Sequence, residues 1–118
     1  MVKNMGEMSM LYDFYGELLT NRQKDVLQYY YGDDYTLGEI AEMAGISRQA
    51  VYDTVSKAEK SLRSYEASLG LVRRFRRTEE EIHRASALID EIIDSEHDSV
   101  LASKLTAVRN IINGLDEE

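Results

Sequence analysis

Apolar residues recur at helical spacing along most of this chain, and the breaks between the stripes are marked by capping residues and glycines. Met8, Leu11, Phe14 or Tyr15, and Leu18 predict a first helix over about residues 5–18. Thr20 with Gln23 three residues later reads as a capping box, in which hydroxyl and amide satisfy each other's neighbouring backbone donors, and Val26, Leu27 and Tyr30 then share a face. Tyr31-Gly32-Asp33-Asp34 ends that helix, with Gly32 expected as the left-handed stop. A second capping box, Thr36 to Glu39, opens a short helix whose inward face is Leu37, Ile40, Ala41 and Ala44.

Gly45 closes the short helix, and only Ile46 separates it from Ser47, a good N-cap for the next one. Helices joined this tightly cross steeply, and Ala41 is small enough to admit the crossing, so Thr36 onward reads as a helix-turn-helix. From Val51 through Val55, Ala58, Leu62 and Tyr65 to Leu69 the apolar steps alternate between four and three, the pattern of an a/d seam. A small domain needs only the first half of that seam. Leu62, Tyr65 and Leu69 are therefore expected to seek a further partner surface.

Gly70 predicts the stop of this long helix, and Arg73-Arg74-Phe75-Arg76-Arg77 follows it. Thr78 with Glu79, Glu80 and Glu81 reads as a third helix start, since acids complement the positive end of the helix dipole. Ile82, Ala85, Ile89, Ile92 and Ile93 form its stripe, and Leu101, Leu105, Val108 and Ile112 form that of a last helix ending at Gly114. The pair predicts a helical hairpin with a short connection across Asp94 to Asp98. The fold class is thus all-α, with a helix-turn-helix domain over 1–70 that includes the extended recognition helix. The hairpin over 71–118 packs on that domain or on a partner subunit.

Composition narrows the chemistry. The 118 residues hold neither Pro nor Cys, so no proline interrupts the helical pattern, and disulfides, thiolate chemistry and cysteine zinc sites are excluded. The opening MVKNMGEMSM lacks the basic start and apolar core of a secretory signal, and no run is long enough to span a bilayer, so a soluble cytoplasmic protein is expected. The net charge of −8 is unevenly spread: one Lys against three acids in 1–19, ten basic against eight acidic residues in 20–77, and three against eleven in 78–118. Only the middle segment favours a polyanion.

The stretch LTNRQKDVLQYYYGDDYTLGEIAEMAGISRQAVYDTVSKAEKSLRSYE resembles the fourth, promoter-reading region of sigma factors. It is more closely similar to the YlxM-type family of small bacterial proteins, with LTxRQ at Leu19 to Gln23, YYxDDYTLxEIAE at Tyr30 to Glu42, GISRQAVYD at Gly45 to Asp53 and YExxLxL at Tyr65 to Leu71. That resemblance implies a sigma-region-four-like helix-turn-helix with extra C-terminal helices. In such families the gene typically sits beside those for the signal recognition particle GTPase or its receptor. The role implied is regulatory, in or around that targeting pathway, and it rests on gene neighbourhood.

For a helix entering a major groove, the first turns after Ser47 should meet base edges. With Val51 and Val55 inward, Gln49, Tyr52, Asp53 and Ser56 point outward and Arg48 lies on the flank. Gln49 suits adenine, and Arg48 suits guanine or a phosphate. Asp53 is discordant, because unless it accepts from a cytosine it faces phosphate repulsion. Residues 36–56 carry only Arg48 against Glu39, Glu42 and Asp53, so phosphate contacts must come from Lys57, Lys60 and Arg63, or from Arg73, Arg74, Arg76 and Arg77. Two readings stay open: a nucleic-acid-binding regulator, and a helical scaffold that contacts the targeting GTPase or its RNA without binding DNA. The arginines around Phe75 fit an RNA- or phosphate-contacting patch, or a solvated bend paired with Glu79 to Glu81. Tyr29, Tyr30, Tyr31 and Tyr35 are expected in core and rim packing rather than base stacking.

No enzyme is expected. His83 and His97 lack ligand partners at i, i+4, no glycine-rich phosphate loop exists, and Asp33-Asp34 reads as a turn, so neither cofactor nor metal is implied. The surplus apolar stripes are to be covered within the chain or across a two-fold axis, and a homodimer holding two recognition helices is expected.

Overall fold

The computed structural model describes residues 5–115, and among these the chain forms six α-helices and no strand. In order they are α1 (Met5–Tyr15), a 3-10 turn (Gly16–Leu18), α2 (Asn21–Leu27), a π turn (Gln28–Gly32), α3 (Leu37–Ala44), α4 (Arg48–Leu69), α5 (Leu71–Ser95) and α6 (Ser99–Gly114). Part of the leader reading and the charges of Lys3, Asp116, Glu117 and Glu118 lie outside the described residues. The chain divides into two units, Met1–Val72 and Arg73–Glu118.

In the first unit α1, α2 and α3 all pack on α4, whose buried side is the row Val51, Val55, Ala58 and Leu62, each with no exposed surface. These residues recur every three or four positions, so a single stripe of the helix faces the core. Met8, Leu11 and Tyr15 of α1, Val26 and Leu27 of α2, Tyr30 of the π turn, and Ile40 and Ala41 of α3 close over that stripe. Burying each large aliphatic side chain contributes about 1.5–3 kcal/mol. Both predicted capping boxes form: the Thr20 and Thr36 hydroxyl oxygens accept from the Gln23 and Glu39 N–H groups at 3.1 Å, and those side chains accept in return.

Leu62 and Tyr65 do not wait for an outside partner. Leu62 is fully buried, Tyr65 packs against the core with its ring 6.0 Å from that of Tyr15, and Val72 joins the same cluster, leaving only Leu69 of the seam's second half exposed. The reason is α1, which lies along this stretch of α4 and supplies the cover. At the far end of α4 the buried Tyr15 hydroxyl donates to Glu66 Oε1 at 2.7 Å and accepts from the Leu71 N–H at 3.0 Å. The same Glu66 oxygen accepts from the Val72 N–H at 3.0 Å. Gly70, left-handed with φ 64°, closes α4 by donating its N–H to the Glu66 carbonyl.

This corner overturns the third helix start. Helix α5 begins at Leu71 rather than Thr78, because Tyr15 and Glu66 already satisfy its leading N–H groups and no Gly or Pro interrupts the arginines that follow. Arg73 to Arg77 are accordingly helical, and no bend exists there. Three smaller expectations also change. Helix α1 stops at Tyr15, and the 3-10 turn shifts the register so that Leu19 is buried while Leu18 and Phe14 are exposed. Ala44 is exposed at the last turn of α3. Gly32 ends a π turn, closed by the Asp33 N–H donating to the Gln28 carbonyl, and the left-handed residue is Asp34, with φ 57°.

In the second unit, α5 and α6 form a hairpin joined at 96–98, where the Asp98 carboxylate caps α6 by accepting from the Val100 and Leu101 N–H groups. Arg109 donates to Asp90 across it at 2.6 Å. No residue of α6 is buried.

Ala41→Leu should overpack the α3–α4 contact at a cost of about 1–3 kcal/mol. Gly45→Val should force a β-branched side chain into left-handed backbone, even though the space around its Cβ is open. Unchanged melting temperatures in both variants would refute the helix-turn-helix assignment. A second expectation concerns alkali. Burial first, then donation to Glu66, raises the Tyr15 hydroxyl above its ordinary pKa of 10.0, and burial and Glu59 raise Tyr31 likewise. Their stabilising share is whole below pH 10 and is lost as pH climbs through the raised values. Chemical denaturation from pH 8 upward should therefore show the wild type weakening above about pH 10 more steeply than the Tyr15→Phe, Tyr31→Phe variant.

Candidate nucleic-acid interface

The turn between α3 and α4 is three residues long, and each has a separate task. Gly45 takes φ 68° and donates to the Ala41 carbonyl, Ile46 turns half-buried toward the core and bonds the same carbonyl at 3.1 Å, and Ser47 caps α4. The Ser47 hydroxyl oxygen accepts from the Ala50 N–H at 3.0 Å. Val51 and Val55, fully buried, then fix the rotation of α4, so that its opposite side is presented outward.

On that outward side Arg48, Gln49, Tyr52 and Asp53 are exposed, and Ser56 is half-buried. Gln49 Nε2 donates to Asp53 Oδ1 at 3.0 Å. The contact gives the Asp53 carboxylate an amide donor one turn away and uses one of the two N–H donors of the Gln49 amide. Tyr52 and Ser56 share a shallow groove with Glu59, Lys60 and Arg63. Arg48, Tyr52, Ser56 and Lys60 are four residues apart in succession, so the structure joins the base-facing candidates to part of the phosphate-facing set along one ridge of α4.

The cations are not equivalent. Lys57 and Lys60 are exposed, whereas Arg63 is paired with Glu7 of α1 at 2.5 Å. Arg73, Arg74, Arg76 and Arg77 belong to the second unit, in the first two turns of α5. Their helical positions share one half of its circumference, with the half-buried Phe75 on the other. Arg77 lies 3.7 Å from Glu81, an exposed pair one turn apart.

A cleft beside the start of α4, lined by Tyr30, Asp34, Tyr35, Thr36, Leu37, Arg48 and Tyr52, was not anticipated. Tyr35 packs with its ring 6.1 Å from that of Tyr29, as its place beside the turn predicts, and it also lines the cleft. The only sequence signal was the polar DDYT segment, whose left-handed Asp34 turns the chain toward Arg48. Tyr31 is tied instead to Glu59 by a hydroxyl–carboxylate bond, and Tyr30 is core.

Residues 2–108 match the family model described as "UPF0122: Putative helix-turn-helix protein, YlxM / p13 like". The chain belongs to this family. It is 40% identical over 109 residues to a UPF0122 protein of Thermoanaerobacter sp. (strain X514), covering 92% of this chain and 93% of that one. It is also 48% identical to a Listeria innocua UPF0122 protein over 79 residues, 67% of this chain and 72% of the other. A Caldanaerobacter subterraneus member is 48% identical over 82 residues, 70% of each chain. The helix-turn-helix of the family's description is the α3–α4 pair of this chain. Among the described residues no group of three His, Cys, Asp or Glu side chains is placed to hold a metal ion, and no helix is long and apolar enough to cross a membrane.

Ser47→Ala should lower stability by about 1 kcal/mol through loss of the cap, while Arg48→Ala, whose side chain is exposed, should leave the melting temperature unchanged. Calorimetry on the two variants separates the residue that builds the turn from the one available to a ligand.

Proposed function

We propose that this protein is a nucleic-acid-binding regulator that presents the outward side of α4, from Arg48 to Arg63, to a duplex. The observation that carries the reading is the outward ridge of Arg48, Tyr52, Ser56 and Lys60, with Gln49 beside it, behind a helix-turn-helix rotated by Val51 and Val55. In this reading Gln49 and Arg48 address base edges, Tyr52 packs against sugar or base, Ser47, Ser56, Lys57 and Lys60 hold phosphates, and Arg63 joins them by exchanging Glu7 for a phosphate. Arg73, Arg74, Arg76 and Arg77 supply a further charge-dependent contact to DNA or RNA. A cytoplasmic location, a homodimeric state that pairs two recognition helices, and a regulatory role in or around the signal recognition particle pathway belong to the same proposal. The last of these rests on the YlxM-type resemblance alone.

One observation favours a second reading. Between residues 36 and 56 the motif carries Arg48 against Glu39, Glu42 and Asp53, and that balance opposes a polyanion. The alternative is a protein-contacting scaffold that binds the signal recognition particle GTPase or its RNA.

The test measures binding of the pure protein to its own upstream DNA, to signal recognition particle RNA and to the targeting GTPase in parallel, across salt. For duplex binding, Arg48→Ala and Gln49→Ala should cost about 1–3 kcal/mol at the preferred site and reduce discrimination between sites. Arg73→Ala with Arg74→Ala should weaken all sequences alike and flatten the salt slope. Equal affinity of wild type and Arg48→Ala for every duplex at low salt, together with salt-tolerant GTPase binding, selects the scaffold instead.

A further inference from the structure

The arginine run of α5 is helical against its own electrostatics. The first turn of the helix holds no acid, and Arg73 and Arg74 stand near the positive end of the helix dipole, where anionic side chains are favoured and cations are not. Arg73 with Arg77 at i, i+4, and Arg73 with Arg76 and Arg74 with Arg77 at i, i+3, are like-charged neighbours on the helix surface. The local sequence offers a better start at Thr78, with Glu79, Glu80 and Glu81 behind it. Left to local preference, α5 would begin there and the arginines would precede it as an extended segment.

The override comes from outside the run. The buried Tyr15 hydroxyl accepts from the Leu71 N–H at 3.0 Å and donates to Glu66 Oε1 at 2.7 Å, and that same oxygen accepts from the Val72 N–H at 3.0 Å. Two of the four donors that a helix start leaves open are thus met by side chains of α1 and α4. The consequence is charge density. From Arg73 to Arg77 the chain advances about 6 Å along a helix axis and about 13 Å when extended, so the helical form concentrates the four cations roughly twofold. In the helix they share one half-circumference, whereas extended backbone puts Arg73 and Arg77 on one side and Arg74 and Arg76 on the other. A polyanion therefore favours the helical form, and a protein that supplies this form ready-made loses less ordering entropy on binding.

We infer that Tyr15 and Glu66 are positioning residues for polyanion binding: they set the start of α5 at Leu71 and so hold Arg73, Arg74, Arg76 and Arg77 as one cationic face. The inference rests on the arginine contact of the function proposed above and names the residues that build it.

Binding of the full chain to a mixed-sequence DNA duplex and to a mixed-sequence RNA hairpin, measured across salt, tests this beside hydrogen exchange at residues 71–77. Glu66→Ala and Glu66→Gln remove the same charge, but only the amide keeps an oxygen for Tyr15 and Val72. Glu66→Ala should open residues 71–77 to exchange, weaken binding of both probes by about three- to tenfold and lower the log–log salt slope by about 1 to 2. Glu66→Gln should keep these residues protected and bind at least as tightly as the wild type. A purely electrostatic role for Glu66 predicts tighter binding in both variants, the opposite sign for Glu66→Ala. General destabilisation would also blur the discrimination between sites that depends on Arg48, which should instead be unchanged. Tyr15→Phe keeps the buried ring and should act in the same direction as Glu66→Ala, and it decides the matter if Glu66→Ala melts at the assay temperature. Protection of residues 71–77 in both Glu66→Ala and Tyr15→Phe overturns the inference, as does a wild-type salt slope in a variant where those residues exchange freely. Failure of the underlying reading looks different: the wild type then binds neither probe, or binds both as well after Arg73→Ala with Arg74→Ala, and the positioning role falls with it.

Discussion

The first unit depends on one stripe of one helix. Val51, Val55, Ala58 and Leu62 have no exposed surface, and every other helix of that unit reaches the core by packing on them. The stripe sets the rotation of α4 about its axis and therefore decides which residues are left outside. Arg48, Tyr52 and Lys60 are available to a ligand because the valines beside them are not. A polar residue at Val51 or Val55 would thus remove the presentation of the outer face together with the core.

At the other end of α4, the Tyr15–Glu66 pair performs a second organising step. A buried phenol and a carboxylate bind the end of α1 to the start of α5, and between them they satisfy the N–H groups of Leu71 and Val72. Because these donors are met, α5 starts immediately after Gly70 and carries its arginines as part of a helix. Helical order gives Arg73, Arg74, Arg76 and Arg77 a common half-circumference that a bend would not have given them. The electrostatic character of the segment follows from a hydrogen-bonding arrangement made by residues more than fifty positions earlier and a few positions before.

The functional reading is shaped by a conflict between geometry and charge. The outer side of α4 presents an exposed ridge, but residues 36–56 of the helix-turn-helix are net acidic, and Arg63 further along α4 is engaged by Glu7. The Gln49–Asp53 contact lessens the conflict without removing it. A motif of this kind gains little from non-specific phosphate attraction, so whatever affinity it has must come from the further cations, from pairing two copies, or from a protein surface.

Periodicity and capping chemistry were legible in the sequence because both are local. The Thr20–Gln23 and Thr36–Glu39 boxes, the left-handed Gly45 and Gly70, the Ser47 cap, and the inward Val51–Leu62 row each depend on residues within a turn or two. The outward set at Arg48, Gln49, Tyr52 and Asp53 follows from that row. What the sequence did not contain in readable form was long-range. Thr78 with its three glutamates is a sound local start signal, and it was overridden because Tyr15 and Glu66 satisfy an earlier turn. Leu62 and Tyr65 looked uncovered because nothing local states that α1 lies over them. The cleft joining Asp34 and Tyr35 to Arg48 arises from a π turn and a left-handed aspartate, neither of which periodicity signals. Local hydrogen bonding and side-chain period thus determined the elements and the face that α4 turns outward. Only the tertiary structure decided where α5 begins and which stripes remain open, because those outcomes depend on contacts between residues far apart in the chain.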